Sequence, residues 1–260
     1  MTHDDTRGTM MNPGPYRDLE PLASKVIMML SERQAVTPAG ARQVIVDYLV
    51  RTALAKRGFD PVQVMHELRG HRLTVDAVID VYIPQSAVCL GEMWMESDID
   101  FAEVTIGSLR LQSLLIEASV EVDHRPSVDT DDVMHALVVV PEAEQHLLGA
   151  NVVAAQLRRL GCEAAVSICE TPKTVAARVT CDQPDMVLFT CARSAALDSI
   201  ARTVQKIREN THPTPVIALG GPVRGDLDGM REKAGADLMT NTAKDVVSFC
   251  AKRKKALGQG

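Results

Sequence analysis

The apolar residues of this chain keep one period up to about residue 122 and a different one from about residue 134, and that change decides what the two parts can fold into. In the first part Leu22, Val26, Ile27, Met29 and Leu30 form one apolar set, and Ile45, Leu49, Ala53 and Leu54 another at helical spacing. A period near 3.6 marks helices that bury one face. Thr37-Pro38 and Asp60-Pro61 put proline in a first helical turn, where its missing N–H costs nothing, and Asp60 is a candidate N-cap. Thr74 and Asp76 precede a fourth helix, which Pro84 is expected to interrupt or end. A last helix is expected from about Asp98 to Glu121, with Phe101, Val104, Leu109, Leu111, Leu114 and Leu115 inside it. No strand-like alternation interrupts this stretch, so residues 18–122 read as an all-α helical cap, behind a polar tail at 1–17 expected to be disordered.

Residues 123–133 are charged, contain Pro126 and lack any period, as a linker does. Beyond them, His135 to Val140 is a short β-branched run of the kind buried on both sheet faces. Leu147 to Leu160 is helical and stops at Gly161. Strands follow at Ala164 to Ile168, Met186 to Thr190, Pro215 to Leu219 and Asp237 to Met239, with helices opening at Thr171-Pro172, Ala195 and Ala243 and a short one after Gly221. Strand and helix alternate five times. That order predicts an α/β domain over 134–257, a flavodoxin-like (Rossmann-type) five-stranded parallel sheet with helices on both faces.

Composition narrows the function. A net charge of −6 leaves no broad basic footprint for nucleic acid. The one dense basic run, Lys252 to Lys255, reads as a solvated helix end. No apolar stretch reaches the ~20 residues of a membrane span, and the first residues lack an apolar signal core, so a cytoplasmic protein is expected. Six cysteines without a CxxC read as buried thiols. His66, His71 and His124 have no ligand constellation and read as surface or capping residues, and His135 should lie at the sheet edge away from the site.

In an open parallel sheet ligands bind outside the carboxyl ends of the strands. Three loops there carry chemistry. The first, after strand one, holds Glu144-x-His146-x-x-Gly149; the second is Thr190-Cys191-Ala192; the third is Gly220-Gly221-Pro222. Neutral imidazole donates well to a first-row transition metal. A carboxylate two residues earlier suits the other ring N–H and would fix the tautomer. Gly149, Gly220 and Gly221 remove side chains where a bulky ring system would approach. Taken singly, a histidine at a strand end is more often a packed structural residue.

Together the three loops resemble the cobalamin-binding domains, whose first loop carries Asp-x-His-x-x-Gly, whose third strand ends in Ser-x-Leu and whose fourth ends in Gly-Gly. The resemblance spans roughly residues 134 to 255, and the helical half matches the cap that precedes such domains. It implies cobalamin as cofactor, His146 as the lower ligand of cobalt, and Thr190, Ala192, Gly220 and Gly221 lining a slot for the nucleotide tail. Glu144, Thr190 and Ala192 depart from the family's Asp, Ser and Leu.

Trp94, the only tryptophan, lies in the cap. It is either a bundle-core residue or, as in cobalamin-dependent photoreceptors, the cover of the upper corrin face. Those photoreceptors have Glu-His ten residues later, where this chain has Val104-Thr105. The phrase Asp100-Phe101-Ala102-Glu103-Val104-Thr105-Ile106-Gly107 is similar to that of the AerR/PpaA proteins of photosynthetic bacteria. This resemblance implies a light-responsive antirepressor without catalytic turnover. Its partner would be a DNA-binding repressor of photosynthesis genes, of the CrtJ/PpsR kind, with little or no direct DNA contact and no membrane. Two alternatives share the scaffold: a corrinoid carrier of a methyltransferase system, and a haem-binding sensor.

Overall fold

Polar side chains at helix starts set the boundaries of the first half. The computed structural model describes residues 41–120, 133–142, 144, 147–221 and 226–257. Among these, the cap holds α1 (Gln43–Leu54), α2 (Pro61–Gly70), α3 (Val75–Met95) and α4 (Phe101–Val120). The tail at 1–17, the apolar set from Leu22 to Leu30, the Thr37-Pro38 start and all but the last residue of the 123–133 linker lie outside the described residues.

Asp60 caps α2 as expected, its carboxylate accepting the Val62 amide at 3.0 Å, and Thr74 caps α3 by accepting the Ala77 amide at 3.1 Å. Pro84 does not end α3. The turn directly ahead of it, Val78–Tyr82, is π-helical. Proline has no N–H for the Asp80 carbonyl and its ring crowds that group, and a wide turn relieves both while the helix continues. The start of α4 is a reciprocal cap: the Asp100 carboxylate accepts the Glu103 amide at 2.8 Å, and Glu103 accepts the Asp100 amide at 2.9 Å. The helix therefore begins at Phe101, three residues after the expected Asp98.

Ile45, Leu49, Leu68, Ile79, Ile83, Leu90, Leu111 and Leu114 make the cap core. Phe101 and Leu109 lie in α4 as expected and are 68% and 60% exposed. With Ile106, Ile116 and Val120 they lie on outward-facing positions of α4. The period of that helix is right, but its apolar surface is wider than its buried face.

The second half is the five-stranded parallel sheet, in the order β2-β1-β3-β4-β5. The strands are β1 (His135–Pro141), β2 (Glu163–Glu170), β3 (Met186–Thr190), β4 (Val216–Gly220) and β5 (Leu238–Met239). The helices are α5 (Leu147–Arg159), α6 (Pro172–Asp182), α7 (Leu197–Asn210), α8 (Leu227–Ala234) and α9 (Ala243–Leu257). Leu137, Val139, Phe189 and Leu219 face α6 and α7. Val138, Val140, Leu188 and Ala218 face α5 and α9. Both faces are covered, which is why these strands read as unbroken apolar runs. Val152 and Ala155 on the far side of α5 belong to the cap core, so this helix is shared by both halves.

The amino edge of the sheet is held by charge. Asp185 accepts the His135 amide and pairs with Lys254 at 2.8 Å, and Asp237 accepts the Ile217 amide at 2.7 Å and lies 3.5 Å from Arg253. The terminal basic run thus serves the sheet. Cys162, Cys191 and Cys250 are buried as expected. Cys169 and Cys181 are exposed, the first on edge strand β2 at φ +54°.

Candidate functional site

β1 and β3 are neighbours, but the chain runs from β1 out to β2 and from β3 out to β4. The loops after them diverge at the carboxyl edge, which is where an open α/β sheet offers a crevice to a ligand. The sequence had placed its three motifs at this edge, and the structure brings their described residues together.

Glu144 is 1% exposed. Its own amide donates to the Pro141 carbonyl at 2.8 Å, which turns the chain back just beyond β1. Its carboxylate accepts the Ala192 amide at 2.9 Å, tying the loop after β1 to the loop after β3. A carboxylate buried this deeply requires donors. Its expected role was to orient His146, which lies outside the described residues. The bond to Ala192 went unforeseen, because nothing local in the sequence pairs residues 48 apart.

Thr190 is half-buried, and its hydroxyl donates to the Val139 carbonyl at 3.4 Å. Its neighbour Cys191 donates its amide to the Gly220 carbonyl at 2.8 Å. Burial is the main cause that pushes the Cys191 thiol above the ordinary cysteine range.

The glycines divide into two kinds. Gly221 has φ +143°, and a Cβ there would run into the backbone carbonyl of Cys191. A Cβ on Gly220 would lie 2.8 Å from the Thr240 carbonyl oxygen. The sequence pattern suggests that both clear room for a ring system. Here their bareness lets three strand ends approach one another. At Gly149, by contrast, an added Cβ meets nothing within 4 Å among the described residues. Gly221 also donates its amide to the Asn241 side chain at 2.7 Å. Asn241 was missed. The polar run Thr240-Asn241-Thr242, placed directly after β5, was the signal that could have found it.

Trp94 is carried by the last turn of α3. It is 48% exposed, with the Phe101 ring tilted at 60° and centred 6.4 Å away, so the bundle-core reading does not hold. Two cavities, about 240 Å³ and about 120 Å³, lie at the opposite edge of the sheet around His135, Pro184 and Pro213. Both fall below the ~300–1,000 Å³ of typical ligand pockets.

The carboxyl-edge residues fit a tetrapyrrole that carries a first-row metal. Glu144 is anchored two residues before an imidazole, the donor set such a metal takes.

Residues 134–248 match the B12 binding domain family. The chain is 30% identical over 184 residues to an uncharacterised 20.5 kDa protein in the bchF-crtJ intergenic region of Rhodobacter capsulatus, a match covering 70% of this chain and 94% of the other. The fold is that of the monomethylamine corrinoid protein of Methanosarcina barkeri, with a TM-score of 0.65 at 13% identity over 82% of this chain and 99% of that one. A cobalamin-binding protein from Desulfitobacterium hafniense is more distant, with a TM-score of 0.42 at 19% identity over 78% of this chain and 97% of that one. The chain belongs to the B12-binding-domain family, with cobalamin as its cofactor.

Proposed function

We propose that this chain is a cobalamin-dependent, light-responsive regulator that acts as an antirepressor by engaging a DNA-binding repressor of photosynthesis genes. One observation carries the reading: the match over 94% of a relative whose name sets it beside crtJ. In this reading His146 is the lower ligand and Glu144 fixes its loop. Thr190, Ala192, Gly220 and Gly221 line the slot for the nucleotide tail, and Trp94 faces the upper side. Bound alkylcobalamin supplies a cobalt–carbon bond that light breaks. The chain's part is to hold the two cofactor states with cap positions of unequal affinity, which shifts the cap population. Ile106, Leu109 and Ile116, 46%, 60% and 62% exposed, give the cap an apolar surface for a protein partner.

The methyl-carrier reading is disfavoured by Ala150. Carriers of this layout usually keep a lysine after the glycine of the first loop. In this chain the position is Ala150, which is buried against the sheet.

The test is reconstitution of wild type and His146→Ala with hydroxocobalamin and with dark-kept alkylcobalamin, read by absorption spectra and by repressor binding before and after illumination. Corrin bands, loss of affinity in His146→Ala and a light-dependent change in repressor binding are expected. Equal retention by both proteins overturns the ligand assignment, identical repressor binding in light and dark overturns the regulatory role, and a Soret band without corrin bands makes the protein a haem sensor. Methylation of the bound cofactor by a cell extract would favour the carrier.

A further inference from the structure

β4 and β5 end side by side, Ala218 opposite Leu238 and Leu219 opposite Met239, and the chain leaves both at the carboxyl edge of the sheet. After β4 it passes through Gly220-Gly221, and after β5 through Thr240-Asn241-Thr242 into α9. The Thr240 amide donates to the Leu219 carbonyl at 3.0 Å, which carries the pairing one residue beyond β5 and sets Asn241 beside the glycines. The Asn241 carboxamide then lies against both of them. Its Oδ1 accepts the Gly221 amide at 2.7 Å and is 3.7 Å from where a Cβ on Gly220 would stand. Gly220 in turn accepts the Cys191 amide, and the next residue, Ala192, donates to Glu144, so Asn241 closes a bonded row of loop ends that begins after β1.

That bond also fixes which way the carboxamide points. A backbone N–H can only donate, so the atom facing Gly221 must be the oxygen, and the nitrogen with its two N–H donors is turned away from the glycine. Asn241 is exposed, and among the described residues no acceptor meets that nitrogen. The hydroxyl next to it is committed inside the loop, since Thr240 Oγ1 donates to Asp245 at 2.9 Å and accepts the Thr242 amide at 3.1 Å. Asn241 thus offers an oriented donor at the ligand edge of the sheet, held in place by its own oxygen. In cobalamin, the phosphate, the ribose and the base nitrogen released from cobalt are all acceptors carried on the nucleotide tail.

We infer that Asn241 is a specificity residue for that tail: Oδ1 positions the second glycine, and Nδ2 donates to an acceptor on the tail. The inference rests on the slot assigned above to Thr190, Ala192, Gly220 and Gly221, and it adds a residue from the end of β5.

Asn241→Asp separates the two roles, because a carboxylate still accepts the Gly221 amide but has no N–H to give. Dissociation constants should be measured for hydroxocobalamin and for cobinamide, the same corrin without the nucleotide tail, using wild type, Asn241→Asp and Asn241→Ala, with urea midpoints of the three apoproteins as the check on folding. Wild type is expected to prefer hydroxocobalamin. A folded Asn241→Asp is expected to hold hydroxocobalamin about tenfold more weakly and cobinamide as wild type does. An equal loss for the two corrinoids, or no loss for hydroxocobalamin, overturns the tail contact. If Asn241→Asp fails to fold, the ratio of the two constants in Asn241→Ala decides the question in the same way. Wild type that holds both corrinoids alike overturns the tail contact and leaves cobalamin as the cofactor, whereas wild type that binds neither refutes the cofactor and the inference with it.

Discussion

The main-chain N–H of Ala192 and the buried carboxylate of Glu144 meet at 2.9 Å across the gap between β1 and β3. An acidic residue in the first loop thereby becomes a strut between two loops. Glu144→Ala leaves the Ala192 amide without this acceptor and should cost about 1–3 kcal/mol of stability, measured by urea unfolding. If the strut also steadies His146, hydroxocobalamin affinity should fall about 10–100-fold in the same variant. Glu144→Gln keeps an acceptor oxygen and should lose less in both measurements.

The glycines give an internal contrast. Gly221→Ala forces a Cβ onto the Cys191 carbonyl at a φ that side chains avoid, and should destabilise the fold by about 2 kcal/mol or more. Gly149→Ala adds a methyl into open space within a helix, and should leave stability unchanged or raise it by up to ~1 kcal/mol. Cobalamin titration of the two proteins separates folding from binding, since weakened binding by a stable Gly149→Ala would put the cofactor at that helix start.

Cys162 gives a pH dependence with a definite sign. Burial pushes its thiol up to about 11, so the folded chain holds that proton more tightly than the unfolded chain, whose thiols titrate near 8.5. The stabilisation is complete below about pH 8.5 and is lost as pH rises through about 11. The urea midpoint of wild type should fall between pH 9 and pH 11, and that fall should be shallower in Cys162→Ala.

The reciprocal cap of Asp100 and Glu103 should be visible in the cap alone. Asp100→Ala is expected to cost about 1 kcal/mol, with faster hydrogen exchange confined to the first turn of α4.

Whatever depends on local period was legible before the structure. Met186 to Thr190 is β3 to the residue, because a strand buried on both faces between polar breaks leaves no other reading. Asp60 and Thr74 were recognisable as helix starts because capping acts over two or three residues. Pro84 does interrupt its helix, by the π-turn Val78–Tyr82, but that the helix then continues to Met95 leaves no mark in composition. Gly220-Gly221 was flagged as part of the site, but its physical reason, contact with Cys191 and Thr240, depends on strand order. Asn241 and the Glu144–Ala192 bond escaped for the same cause, as each joins loops from different strands.

The bonds Cys191 to Gly220, Ala192 to Glu144 and Gly221 to Asn241 fasten strand ends from β1, β3, β4 and β5 to one another. Backbone held in this way has little freedom left to lose, so a ligand packing on these residues would spend less of its binding free energy on ordering them.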